Sequence, residues 1–430
     1  MTPREAARAV FDAALRAADV RPLVANVLGG VAPPARGRVL AVGAGKASGA
    51  MAAAVETAWG DRIADGLVVV KDGYGAPTRR IRLLEAGHPV PDARGETAAR
   101  QIRALAESAR ADDLLLVLIS GGGSALTPAP VPPITLADKQ AMTRLLLAAG
   151  ASINQLNAVR KHCSLLKGGQ LARAAAPARV HALLLSDVIG DPPDVIGSGP
   201  TAPDASTFAE ARAILERFDL ARRAPANIVE RLERGVRGEV AETPKPGDLI
   251  FRRVTNTVIG NNLLVVDAAA ARARALGYTP HVLTRALEGE AREVAGRLVA
   301  LARQIRAGGG PVGAPACLIA GGETTVTVRG SGRGGRCQEW ALAAALALEG
   351  TDGIVALAAG TDGTDGPTEA AGAVADGESA ARARAQGHDP RARLDDNDSN
   401  PVFAALDDLV VTGPTNTNLL DLYLLLIDRP

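Results

Sequence analysis

Short aliphatic runs alternate through the first half of the chain with longer stretches rich in Ala, Arg and Glu. RVLAVGAG (38–45), GLVVVKDG (66–73), DLLLVLISGGGS (113–124) and VHALLLSDVIGD (180–191) carry unbroken apolar runs and end in turns containing glycine or aspartate. Continuous apolar strands separated by helices predict a parallel sheet covered on both faces. Helices are expected near 47–59, 92–110, 135–150 and 153–174. Two open on capping pairs, Thr135 with Asp138 and Ser152 with Gln155, and Thr2, Pro3 and Glu5 form a third start signal.

A second group of strands is expected within 248–261, 279–285, 316–330, 353–363 and 423–429, with helices near 262–276 and 286–307. ETTVTVRG, inside the third, alternates polar and apolar positions and predicts a mixed sheet with one partly exposed face. The Pro- and charge-rich stretch 238–248 is the expected boundary, with the glycine-rich 307–315 as its rival. The fold expected is α/β: a doubly wound, mostly parallel, Rossmann-like domain over 1–240, then an α/β domain with a mixed sheet over 241–430.

Composition narrows the function. A length of 430 residues supports two domains and large aliphatic cores without disulfides. Three Cys (Cys163, Cys317 and Cys337) suit a reducing compartment, so a cytoplasmic location is expected. With 48 basic and 47 acidic side chains, no broad charge surplus addresses nucleic acid or anionic lipid. Aromatic residues make up 2%, leaving little for stacking bases. Glu5, Asp12 and Asp19 interrupt any signal-peptide pattern, and the apolar runs fall well short of the ~20 residues that span a bilayer.

The candidate chemistry gathers at the predicted strand ends, where open α/β sheets bind ligands. Gly43, Gly45 and Lys46 follow a strand and open a helix, so backbone amides there can cradle an anion. The spacing is not that of a P-loop: Leu40 stands at the first glycine and Ala47 follows the lysine. It fits a looser GxGxxxG dinucleotide pattern, but the next strand ends in Lys71 where a ribose-binding acid is wanted. Lys46 opposes the helix dipole, a reason to expect an anion; a tight structural turn is the alternative. Ser120, Gly121, Gly122 and Ser124 form a second glycine turn suited to a carboxylate or phosphate.

On a continuous helix over 152–172, Leu156, Val159, Cys163 and Leu166 would be core, and Asn157, Arg160, Ser164 and Lys167 would share a polar face. Asp187 and Asp191, in a Pro/Gly-rich loop after a strand, offer hard oxygen ligands for a Mg²⁺-nucleotide, and Asp362 with Asp365 repeat the theme. Gly321, Gly322 and Glu323 lead into a glycine loop carrying Arg333 and Arg336, suited to stabilising a transferring phosphoryl group. No GxSxG, HExxH or CxxC pattern is present.

VGAGKAS (42–48), AGHPVPD (86–92), LISGGGSAL (118–126), the stretches 153–172, 183–204, 321–339 and 358–376, and TGPTNTNLLDL (412–422) together resemble the glycerate 2-kinase family with a C-terminal MOFRL domain. Members are often labelled hydroxypyruvate reductase. The resemblance covers almost the whole chain in order. It implies phosphorylation of D-glycerate to 2-phosphoglycerate with ATP and Mg²⁺, in a cleft between the domains. Lys46 and Arg336 would neutralise the transferred group, and Asp187 would position the 2-hydroxyl and accept its proton or help hold Mg²⁺. His88 (substrate contact or structural), Ser120, Gly121, Gly122, Ser124, Asn157 and Arg160 are the substrate-binding candidates. Gly43, Gly45, Lys167, Gly321, Gly322 and Glu323 are those for the nucleotide, and Asp191 and Asp362 those for the metal. Partners are a small sugar acid and a nucleotide, with neither nucleic acid nor membrane, and a homodimer is left open. The alternative is an NAD(P)H-dependent hydroxypyruvate reductase. Cys337 and Asn416 stand where the family usually has Asn and Gly, which bears on substrate preference.

Overall fold

A computed structural model describes all residues, 1–430. They form two compact units, Val20–Ile259 and the pair of segments Met1–Asp19 and Gly260–Pro430. In the first unit, β1 (Val39–Ala44), β2 (Ile63–Lys71), β3 (Ile81–Ala86), β4 (Leu114–Ile119), β5 (Arg179–Leu185) and β6 (Val254–Gly260) make one sheet in the order β3-β2-β1-β4-β5-β6. Strands β1 to β5 run parallel. β1 and β4 are buried at every position, as unbroken apolar runs require. The strand order reverses between them, so their carboxyl ends flank the crevice of a doubly wound sheet.

The first unit departs from the sequence expectation in two places. The 153–174 stretch is not one helix: Ile153–His162 ends, Gly168 and Gly169 turn left-handed, and Gln170–Ala175 begins afresh. The break lets Leu156, Val159 and Cys163 join a core with Phe208, while Leu166 and Leu171 pack in a different core, with β1 and β4 residues. The 248–261 run supplies β6 to the first sheet, so 238–248 lies inside the first unit.

The second unit holds β7 (Thr279–Leu287), β8 (Ala316–Gly322), β9 (Ile354–Gly360), β10 (Gly372–Asp376), β11 (Leu409–Val410) and β12 (Asp421–Ile427), in the order β11-β10-β9-β12-β8-β7. β7 and β8 are parallel and the other pairs antiparallel, so the sheet is mixed. ETTVTVRG, however, is loop beyond a single bridge from Thr325 to Glu290; Arg329 and Gly330 donate their amides to Asn397 Oδ1. Because β12 runs against β8 and β9, its first residue, Asp421, stands opposite their last, Gly322 and Gly360.

The capped N-terminal helix Pro3–Ala17 belongs to this second unit. Its apolar face (Ala6, Ala7, Val10, Phe11, Ala14) is buried, and it packs on the helix Asn262–Ala275 and on β9. Arg4 donates to Asp376 at 2.6 Å and to Asp408 at 2.5 Å. The units therefore part after residues 19 and 259, unlike the expected single break at 240. No helix is long and apolar enough to cross a membrane.

Candidate functional site

In the first unit the two glycine turns are stitched together. Lys46 N–H donates to Gly121 O (2.9 Å), Ala47 N–H to Ser120 Oγ (2.9 Å), and the Ser48 and Ser120 hydroxyls meet at 3.0 Å. The strands beneath are so close that a Cβ on Gly43 would lie 2.1 Å from Leu118 O, and one on Gly45 2.1 Å from Ser120 Oγ. Those two glycines are thus demanded by packing, and Ser120 is buried with its hydroxyl turned inward. Gly122 (φ +85°) brings the next elements together: a Cβ there would sit 2.9 Å from the His88 ring and 3.7 Å from Lys46 Cγ. Lys46, His88 and Gly122 therefore converge beyond the ends of β1 and β4, each half-buried.

Behind this turn lies an unusual concentration of buried cations. Lys167 Nζ donates to Ser124 O (2.7 Å) and Thr127 O (3.1 Å), and Lys139 Nζ donates to Pro128 O (2.6 Å). Burial pushes the Lys139 ammonium down to about 7, and Lys167 well below its usual range, with Lys139 and Arg160 repelling it further. Arg160 is lowered by burial with no carboxylate to offset it. Lys161, by contrast, is paired with Asp194 and Asp204. Lys167 Nζ thus braces the Ser124–Thr127 turn from inside. Asn157 accepts from Ser198 Oγ (3.2 Å), whose own partner is Ser124 Oγ (2.8 Å). Arg160, one turn further along the helix, brings a cation near the same turn. Burying charge without a counter-charge is costly, and an anion bound here would relieve it.

Asp187 follows β5 by two residues and is half-buried; Asp191 adopts φ +56°, an unusual conformation for a non-glycine residue. No group of three or more His, Cys, Asp or Glu side chains is placed to hold a metal ion. A divalent cation would have to complete its shell with phosphate oxygens and water, as Mg²⁺ commonly does.

The second unit handles charge differently. Arg336 opens the helix Arg336–Leu348 and donates from Nε and Nη2 to Asp421 (2.6 and 2.9 Å), while Nη1 lies 2.7 Å from Glu323 Oε1. Burial opposes the charge, but the two carboxylates outweigh it and raise the Arg336 pKa. Asp362 is buried, with Thr364 N–H donating to its Oδ1 at 3.0 Å. Asp365 caps the same helix: its oxygens accept from Cys337 N, Gln338 N and Gln338 Nε2. Burial pushes its carboxyl up to about 6. That role is structural, which separates Asp365 from Asp362. Gly321 and Gly322 are again forced by packing, a Cβ meeting Asn262 Oδ1 at 2.0 Å and Leu287 N at 2.3 Å.

Asp421 and Tyr423 carry no motif of their own, although TNLLDLYLLLI sets one acid in an apolar run. Such a residue demands a partner. Asn416 sits at φ +56°, where Asn is among the best-tolerated replacements for Gly. Cys337 is fully buried at the helix start, and burial raises its thiol far above the usual range.

A model for a domain of unknown function, DUF4147, matches residues 6–233, and the MOFRL family model matches residues 316–421. An Agrobacterium vitis protein that carries the name hydroxypyruvate reductase is 46% identical over 99% of this chain and 95% of its own. The D-glycerate 2-kinase of Thermotoga maritima is 43% identical over 91% of each chain. The crystal structure of a Thermotoga maritima glycerate kinase matches with a TM-score of 0.88 and 39% identity, covering 99% of both chains. The chain, with its DUF4147 and MOFRL domains, belongs to the glycerate kinase family.

Proposed function

We propose that this protein transfers the terminal phosphoryl group of ATP to the 2-hydroxyl of D-glycerate, giving 2-phosphoglycerate and ADP. The observation that carries the reading within the structure is the group of buried cations Lys139, Arg160 and Lys167 behind the Ser120–Ser124 turn, where Glu96 acts on Lys139 only from a distance and no carboxylate pairs directly with any of the three. It suits a small carboxylate held by Arg160, the Gly121–Gly122 backbone and Ser124. Lys46, a cation at a strand-to-helix turn, would draw negative charge away from the transferred group, and Arg336 would add a second, planar donor. Asp187 would accept the proton from the 2-hydroxyl, or share in holding Mg²⁺ with Asp191 or Asp362. Mg²⁺, when bound, would neutralise phosphate charge. His88, beside Gly122, would orient the substrate.

The reductase alternative lacks structural support. Asp72, the first acid after β2, is engaged by both Nη atoms of Arg94 (2.7 and 2.9 Å) instead of standing ready for a ribose. ADP release by the purified protein should require D-glycerate and Mg²⁺ together, with no NAD(P)H oxidation by hydroxypyruvate. Glycerate-independent nucleotide hydrolysis, or steady NAD(P)H oxidation without ATP, would overturn the reading.

A further inference from the structure

Arg336 is gripped by two carboxylates of different character. Asp421 is buried, its side chain 1% exposed, and takes the Nε–Nη2 edge in the two-pronged geometry that fixes a guanidinium plane. Glu323 is 46% exposed, and its Oε1 lies 2.7 Å from Nη1. An ion pair open to solvent on one side is worth less than a fully buried one, so an incoming anion can take the place of Glu323 more readily than that of Asp421. Asp421 cannot be replaced in that way, because it is itself held from behind. Tyr423 OH donates to Asp421 Oδ2 (3.0 Å), and the same oxygen of Tyr423 receives the Thr324 amide (3.2 Å) and meets Thr324 Oγ1 (2.9 Å). The Tyr423 ring is packed edge-on against Trp340, with centroids 5.4 Å apart. The chain of contacts closes on itself, since Thr324 is the covalent neighbour of Glu323.

A guanidinium has five N–H groups. Asp421 consumes the side edge and leaves the N–H groups at the tip, one on each Nη, for a partner outside the pair. That end-on fork is the arrangement that matches two oxygens of a phosphate or carboxylate.

We propose that Asp421, braced by Tyr423 and Thr324, is a positioning residue that holds Arg336 by its side edge. The tip of the guanidinium is thereby presented to the transferring phosphoryl group, and Glu323 is the exchangeable partner in the absence of substrate. The proposal rests on the kinase reading above. Asp421 touches no substrate in this scheme and acts only through Arg336.

The test is steady-state turnover of the full-length protein with D-glycerate and Mg-ATP, combined with chemical rescue by guanidinium ion at sub-denaturing concentration. Arg336→Ala should lose on the order of 10²-fold in kcat. Asp421→Asn should lose a comparable factor, on the order of 10²-fold for a misplaced catalytic group, with the glycerate KM changed far less. Guanidinium should restore roughly tenfold or more of the Arg336→Ala activity, because Asp421 still offers its berth, and should restore nothing in Arg336→Ala/Asp421→Asn. Tyr423→Phe keeps the ring on Trp340, removes one hydroxyl, and should lower kcat by about 5–10-fold, the value of one hydrogen bond. Wild-type kcat in Asp421→Asn beside an inactive Arg336→Ala overturns the proposal and leaves the kinase reading standing. Equal rescue with and without Asp421 overturns it too, as does unchanged turnover in Tyr423→Phe should Asp421→Asn fail to fold. Full turnover in Arg336→Ala sinks the proposal together with the assignment of Arg336 beneath it.

Discussion

The two units solve opposite electrostatic problems at their strand ends. The first buries Lys139 and Lys167 against backbone carbonyls, with the less deeply buried Arg160 beside them and no carboxylate in direct contact with the three. The second surrounds one arginine with Asp421 and Glu323, and Asp365 caps the helix that this arginine opens. A cation group lacking acids stores unfavourable burial that an anionic ligand can release, which makes a recognition surface. A cation already neutralised releases nothing on ligand arrival, but its geometry is fixed beforehand. Under the proposed function, the first unit would supply affinity for the sugar acid and the second a pre-oriented donor for the chemical step.

The comparison breaks most visibly at the two proposed catalytic cations. Lys46→Ala and Arg336→Ala should each reduce kcat by on the order of 10²-fold or more while thermal unfolding stays cooperative. Wild-type turnover in both would remove the basis for assigning chemistry to either turn. Next in size is the affinity of the first unit. Arg160→Met should raise the glycerate KM by about 10–100-fold, the worth of a charge-assisted hydrogen bond, with kcat less affected. Asn157→Asp should act in the same direction by supplying the missing acid, and a lowered KM in that variant would contradict the picture of an uncompensated cation group.

A smaller effect lies in the pH dependence of stability. Burial holds Lys139 at about 7, below its ordinary value. Across the interval from pH 7 to 10 the unfolded chain therefore binds more protons than the folded one, so this group makes stability rise with pH there. Lys139→Met should flatten that rise, by on the order of 1 kcal/mol per pH unit. Denaturant unfolding at pH 7 and pH 9 would measure it, and an identical slope in the variant would refute the assignment. Smallest of all, Asn416→Gly should change stability by less than about 1 kcal/mol, because the position already has φ +56°. A larger shift would mean that the Asn side chain has a role of its own.

What was legible in the sequence follows the range of the interactions involved. β1 and β4 are unbroken runs of aliphatic and small residues, β2 and β5 each hold a shorter one (LVVV, ALLL), and the strand–glycine–lysine and strand–glycine–serine turns announce themselves within a few residues. β3 was missed because IRLLEA has a charge at its second and fifth positions and buries only its ends fully. The 153–174 stretch looked like one helix because nothing in it but the Gly168–Gly169 pair interrupts the apolar spacing, and a glycine pair alone does not state whether a helix ends. The N-terminal helix shows an apolar face without naming its partner. Only tertiary structure reveals that it packs on residues more than 240 positions away, with Arg4 reaching Asp376 and Asp408. For the same reason Arg336 could be nominated from its glycine loop, whereas Asp421, 85 residues distant, could not.

The most direct test of the central claim is to incubate the purified protein with D-glycerate, ATP and Mg²⁺ and follow the products by phosphorus NMR. The account predicts that ADP accumulates in step with a single phosphomonoester whose phosphorus couples to the proton on the glycerate 2-carbon. A product phosphorylated at the 3-hydroxyl, or no phosphoryl transfer alongside NAD(P)H-dependent reduction of hydroxypyruvate, would contradict it.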